Sequence, residues 1–411
     1  MPKVCLEEAH TNLMLTVTEA RNLILQQARS FGIETILLSE AYERVLAEDI
    51  YTDRDYPPFN RSAMDGYALK FKDLSNHKEF RLVDDMLAGE RIKSLTEEGT
   101  CIKIMTGAPV PEGADLVIRV EDSEINDGMV KFKSLPFRNW LNIAMQGEDS
   151  RIGEMVLKKS TIIHASTSGL LASLGRSNVK VYSLPKVSII STGNEIKAVG
   201  DFVLPHQIRD SNSYTIASFF QHYNIEIVSR KLVSDRKEEI KHAIESLKDM
   251  DILILSGGVS MGDADFVPEV LNACGVKTIF HKVQIKPGKP LWFGILDNKT
   301  VVFALPGNPV SCQVAFKVFI EPFLRACFGL TACQTIKLPL TSARKKKSSF
   351  EEYFPCILLP YGPHSGLQQI RNNGSGDFTS ITRSAGLSVH PAEIEELKEG
   401  DVVEFIPWRG I

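Results

Sequence analysis

No two of the seven cysteines stand in a C-x-x-C pair and their number is odd, so neither a disulfide framework nor a zinc site fits. Cys5, Cys101, Cys274, Cys312, Cys327, Cys333 and Cys356 read better as buried free thiols in a reducing cytoplasm. The nine histidines are scattered without an H-x-x-x-H pair, which leaves imidazole ligation of a metal without support. No apolar run is long enough to span a bilayer. The start M-P-K-V-C-L-E-E-A-H lacks a basic segment followed by an apolar core, so neither membrane insertion nor export is expected. A basic field is absent as well, since the net charge is -4, and that argues against a nucleic-acid partner.

What is present suits an ordinary soluble protein. Apolar residues make up 43% and charged residues 24%, enough for real cores, and 411 residues are enough for two to four compact units.

The chemistry gathers between residues 251 and 313. Ile252 to Leu255 is a short, branched apolar run suited to a strand buried on both faces, and it ends in Ser256-Gly257-Gly258. Two glycines there permit positive φ and close approach of a ligand to the main chain. Asp263 and Asp265 follow, near a helical run with Pro268 in its first turn. Lys282, Lys286 and Lys289 come next, the last two flanking Pro287-Gly288 and followed by Pro290. A second buried strand, Val301 to Leu305, breaks at Pro306-Gly307-Asn308-Pro309. Asn308 as N-cap with Pro309 in the first helical position marks a helix start, whose free N–H groups favour an anion. Gly-Gly after a strand is most often a plain turn, and paired aspartates usually cap and solvate a helix. Carboxylates, lysines and glycine loops coinciding in one short span argue for a site instead. Neither a Walker loop nor a G-x-G-x-x-G fingerprint is present.

S-G-G-V-S-M-G-D-A-D, I-K-P-G-K-P and L-P-G-N-P-V-S together resemble the molybdopterin-binding domain of the molybdopterin molybdenumtransferase family (MoeA-type proteins), a domain shared with gephyrin-like proteins. The stretch from Pro57 to Ala68 resembles the family signature P-P-F-D-x-S-A-M-D-G-Y-A, with Asn60 where many members have Asp. On composition alone that stretch is a loop entering a strand. The run Ile104 to Asp115 and the segment Gln146 to Asp149 match as well.

Read in order, the chain opens with a helix over 16–32, started by a Thr16–Glu19 capping box and closed by Gly32. Short alternating runs over 70–135 predict a small antiparallel β unit inserted in the surrounding domain. Ser166 fits the N-cap of a short helix ending at Gly175. From Pro185, strands and helices alternate, which predicts a parallel sheet with helices on both faces and ligands beyond the strands' carboxyl ends. Asp235 and Glu238 read as caps of the helix carrying Ile240, Ile244 and Leu247. Arg344 to Lys347 reads as a solvated basic loop. Gly374 to Asp377 resembles the loop by which the family's C-terminal β domain reaches the molybdate site. A second departure precedes it. The family's G-R-x-x-F-x-R is here Ser349 to Pro355, so its anion-contacting arginine is missing. Arg371, Arg383 or the Arg344–Lys347 run is left to compensate, or the C-terminal domain contributes less.

The resemblance implies a multidomain α/β plus β protein. Its parts are an elongated N-terminal domain (1–56 and 147–183), an inserted β domain (57–146), an α/β molybdopterin-binding domain (184–330) and a C-terminal β barrel (331–411). The implied reaction inserts molybdate into adenylylated molybdopterin and releases AMP. Rival readings are a molybdopterin adenylyltransferase and a non-enzymatic molybdopterin-binding scaffold. Catalytic roles are implied for Asp265, Glu195, Asp235, Asp149, Asp65 and Thr106, with Asp265 and Glu195 as ligands of Mg²⁺. Substrate binding is implied for Ser62, Gly257, Gly258, Ser260, Lys282, Lys286, Lys289, Pro290, Pro306, Asn308 and Ser375. The expected partners are a second copy, lending Asp65, Thr106 and Asp149 to a shared site, and transiently the molybdopterin adenylyltransferase.

Overall fold

The computed structural model describes residues 14–247, 249–259, 265–297, 299–331, 335–359 and 366–409. They form two compact units, one from Met1–Ala47, Ser160–Ser168 and Ser177–Ile411, the other from Glu48–Lys159 and Gly169–Arg176. Among the described residues no helix is long and apolar enough to cross a membrane.

The smaller unit is built on a six-stranded sheet in the order Leu116–Arg119, Gly66–Leu69, Thr100–Ile104, Glu79–Met86, Met129–Phe132, Ser123–Asn126. Alternation assigns Ala68, Ile102 and Val117 to one core and Tyr67, Leu69, Cys101 and Ile118 to another, so the sheet is packed on both faces. The expected all-antiparallel unit is corrected at one pair: Glu79–Met86 and Thr100–Ile104 run parallel. The connection over 87–99 returns the chain to the strand's starting end, so the next strand runs the same way.

The larger unit holds the alternating elements. They are β1 (Val187–Thr192), α1 (Asn212–Gln221), β2 (Ile227–Val233), α2 (Lys237–Glu245), β3 (Ile252–Ser256) and α3 (Val267–Ala273). β4 (Lys277–His281), β5 (Ile285–Lys286), β6 (Trp292–Leu296), β7 (Thr300–Leu305) and α4 (Pro309–Ala315) follow. The main sheet runs β2-β1-β3-β7-β6-β4. Its first four strands are parallel, as expected, while β6 and β4 add an antiparallel edge. Ile252 to Leu255 are wholly buried, Ile252 and Ile254 in one core, Leu253 and Leu255 in the other. Helices α2 and α3 cover the second face and α1 and α4 the first, which fulfils the doubly covered parallel sheet.

Past residue 335 come β8 (Ile336–Pro339), β9 (Arg344–Lys345), β10 (Glu351–Leu359), β11 (Gly366–Gln369), β12 (Gly386–His390) and β13 (Val402–Pro407). The second sheet of this unit runs β5-β10-β12-β13-β8, with β11 also on β10. Strand β5, lying between β4 and β6 in sequence, thus belongs to the C-terminal sheet and ties β10 to the lysine loop.

Local expectations divide. Thr16 and Glu19 make the capping box, but that helix is Val17–Leu25 and stops well before Gly32. Ser166 lies inside the helix Ala165–Ser173 rather than capping it. The residue preceding α2 is Arg236, with no side-chain cap, so Asp235 is released from the capping role.

Candidate active site

The carboxyl ends of β1, β3 and β7 open on one cleft of about 1400 Å³ in the larger unit. Gly257 and Gly258 line it with φ of +102° and +64°. A Cβ at Gly257 would stand 2.3 Å from the Thr192 carbonyl oxygen, so only glycine lets β1 and β3 close together here. Pro290, Pro306 and Asn308 line the same cleft.

Among the carboxylates that line it are Glu195, Asp235 and Asp265. Asp235 accepts the Asn194 N–H at 3.2 Å, and Asn194 Oδ1 accepts the Asp235 N–H at 3.2 Å, which fixes the turn after β1 beside the start of α2. Burial pushes the Asp235 carboxyl above the usual aspartate range; the Asn194 N–H opposes this, while the charges of Glu195 and Asp265 add to it. Among the described residues no three such side chains converge into a ready-made metal cage. Mutually repelling carboxylates at the rim of an open cleft do fit a hard cation that shares its shell with water and substrate oxygens.

Cations line the cleft as well. Lys286 and Lys289 line the cleft; Lys282 is not among its lining residues and holds the loop through its backbone N–H to Leu291 O at 2.8 Å. The Lys289 ammonium lies 5.6 Å from the Phe350 ring centroid. Lys286 donates to Glu352 at 2.9 Å. Gly374, Ser375 and Gly376 line the cleft: Asn308 Nδ2 donates to Ser375 Oγ at 2.9 Å, and Val310 N–H to Ser375 O at 3.1 Å. Asn308 is the N-cap of α4, yet its side chain serves this loop instead of the helix. Ser260 and Asp263 lie outside the described residues.

The basic run departs from its expected solvated form. Arg344 is largely buried and lines the cleft, donating to Glu352 at 2.6 Å and to His390 Nδ1 at 2.5 Å. Lys346 is buried and donates to three carbonyl oxygens, those of Phe350, Pro391 and Ala392. Sequence reasoning also passed over Asn212, whose Nδ2 donates to Ser256 Oγ at 2.9 Å and Gly307 O at 2.7 Å, joining the ends of β3 and β7. Asp-Ser-Asn before a helix signals only a helix start, so no local pattern revealed that bridge.

The remaining expected site residues belong to the smaller unit. Asp65 and Thr106 are hydrogen-bonded to each other, and that bonding holds the Asp65 carboxyl below the usual range. Ser62 is buried and donates to Met64 O at 2.6 Å. Asp149 is exposed, its N–H on Tyr56 O at 2.9 Å. Asn60 Oδ1 accepts the Gln146 N–H at 2.8 Å, a contact that needs an acceptor and no charge.

Comparison with known proteins covers the chain nearly end to end. Residues 15–175 match the MoeA N-terminal region (domain I and II), 188–326 the probable molybdopterin binding domain, and 337–408 the MoeA C-terminal region (domain IV). The molybdopterin molybdenumtransferase of Synechocystis sp. is 32% identical over 401 residues, 96% of this chain and 100% of that protein. That of Haemophilus influenzae is 38% identical over 320 residues, 77% of this chain and 78% of the relative. The crystal structure of the molybdopterin biosynthesis MoeA protein from Pyrococcus horikoshii OT3 superimposes with a TM-score of 0.81 at 28% identity, covering 96% of this chain and 99% of that one.

Proposed function

The chain belongs to the molybdopterin molybdenumtransferase family, enzymes of molybdenum cofactor biosynthesis that insert molybdate into adenylylated molybdopterin, and on that premise we propose how its residues divide the work. The observation that carries the division is one cleft, at the ends of parallel strands, lined both by the carboxylates Glu195, Asp235 and Asp265 and by the lysines Lys286 and Lys289. Breaking a phosphoanhydride builds charge on phosphoryl oxygens, and molybdate brings a dianion to the same place; both need fixed positive charge. Lys286 and Lys289 hold the oxyanion. The Gly257-Gly258 turn admits the substrate against the main chain.

Glu195, Asp235 and Asp265 are the residues that would hold Mg²⁺, and their crowding supports this, since a cation relieves it. Bound there, the ion would add positive charge beside the phosphoryl oxygens. Asp265 orients the attacking group within that set. Ser375, pinned by Asn308, adds a hydroxyl to the cleft lining. In the same reading the four-part division (1–56 with 147–183, 57–146, 184–330 and 331–411) holds. A second copy contributes Asp65, Thr106 and Asp149, and the molybdopterin adenylyltransferase delivers the substrate.

The test supplies adenylylated molybdopterin, molybdate and Mg²⁺ and follows AMP and finished cofactor together. Equal yields of both are expected. Binding without AMP release would make the chain a scaffold and overturn this division.

A further inference from the structure

Lys286 and Glu352 are direct partners in the parallel register of β5 and β10, so their side chains stand on the same side of the sheet. One Glu352 oxygen takes Lys286 Nζ at 2.9 Å, and the other takes Arg344 Nη2 at 2.6 Å. The Glu352 side chain is 5% exposed, that of Arg344 12% and that of Lys286 58%. Arg344 is held further by His390 Nδ1 and by stacking on Phe354, 4.2 Å from the ring centroid. His390 Nε2 in turn donates to Ile394 O at 2.9 Å, which leaves Nδ1 as the acceptor for Arg344. A guanidinium has five N–H donors. Here two contacts account for Nη1 and Nη2, and among the described residues Nε is buried without a hydrogen-bond partner. A cation locked in place, lining the cleft and still holding donors in reserve is arranged to meet an anion.

We propose that Glu352 is a positioning residue that ties Lys286 and Arg344 into one wall, and that Arg344 is a second cation for a tetrahedral oxyanion bound in the cleft. This rests on the oxyanion role of the cleft given above. The oxyanion is either molybdate or the substrate phosphate, which offer the same oxygens to the wall.

The geometry separates positioning from simple neutralisation. A carboxylate accepts on both oxygens, whereas an amide accepts on one side and donates on the other, so Glu352→Gln cannot bridge two cations. Coulomb's law alone predicts tighter anion binding when that negative charge is removed. Positioning predicts the reverse.

The enzyme is assayed with molybdate varied at saturating adenylylated molybdopterin, then with the two reversed. Glu352→Gln and Arg344→Lys should each raise one half-saturating concentration about tenfold, with a smaller change in kcat. The substrate whose half-saturation moves is the oxyanion that the wall holds. Arg344→Lys keeps the charge and loses the fork, and it decides the matter alone should Glu352→Gln fail to fold. Unchanged or lowered half-saturation for both substrates, or a loss confined to kcat, overturns the proposal. Full parental turnover beside unmoved variants would sink this inference only; a parent that releases no AMP would sink the proposed function first.

Discussion

The Asp65 carboxylate accepts both the backbone N–H and the hydroxyl of Thr106, each at 2.7 Å. Two donors on one exposed carboxylate favour its charged form and fix its direction. Thr106→Val removes one donor and keeps the other, so the Asp65 titration moves up toward the ordinary range without reaching it. Carbon NMR of the side-chain carboxyl measures this, and an unmoved midpoint would show that the hydroxyl contributes nothing.

Asp235 shows the opposite shift, raised first by burial and further by the charges of Glu195 and Asp265. A raised carboxyl contributes stability that is fully present below the unfolded value of about 3.9, and loses it as pH rises through the folded value. Near neutrality, ionised Asp235 therefore weakens the fold. Asp235→Asn should raise the thermal midpoint at pH 7, show no gain in strong acid, and lower turnover. A lower midpoint at pH 7 would contradict the crowding.

Asp265→Asn preserves shape and removes charge from the carboxylates that line the cleft. Pterin binding should survive while turnover falls sharply and more Mg²⁺ is needed for half-maximal rate. Normal turnover at the parental Mg²⁺ dependence would remove Asp265 from the mechanism.

Lys289→Ala takes away a cation that is exposed and lies along Phe350, so it should raise the molybdate needed for half-maximal rate and leave stability nearly unchanged. Lys286→Ala should raise it more, because Glu352, which lines the cleft, then loses one of its two ion-pair partners among the described residues and keeps Arg344. If both variants respond to molybdate like the parent, the lysines position their loop and not the anion.

Asp65→Asn and Lys289→Ala test the proposal that two copies share each site. If each lesion inactivates its own homodimer, mixed dimers carry both lesions in one site and neither in the other. With random exchange about half of the dimers are mixed, so roughly a quarter of parental activity should return. Differently tagged chains verify exchange. Tagged mixed dimers that stay inactive would place both clusters in one chain's site.

By itself the sequence determined the parts that depend on neighbouring residues. The run Ile252 to Leu255 ended by two glycines, the Thr16–Glu19 box and the Asn308-Pro309 helix start are local features, and each was found where it was read. The strand–helix alternation led to the doubly covered sheet, and its strand ends led to the cleft. Tertiary structure decided which side chains meet. Glu79–Met86 runs parallel to Thr100–Ile104 because of a crossover that no periodicity encodes. Asp235, with the sequence pattern of a cap, turns to the Asn194 backbone and the cleft. Arg344 and Lys346 sit in a basic run that reads as solvated, because burial is conferred by partners far along the chain. β9 pairs with Glu396–Leu397, and the register of β5 on β10 sets Glu352 against Lys286. A charge becomes a buried clamp only when another strand brings its counter-charge, and that pairing exists only in the folded chain.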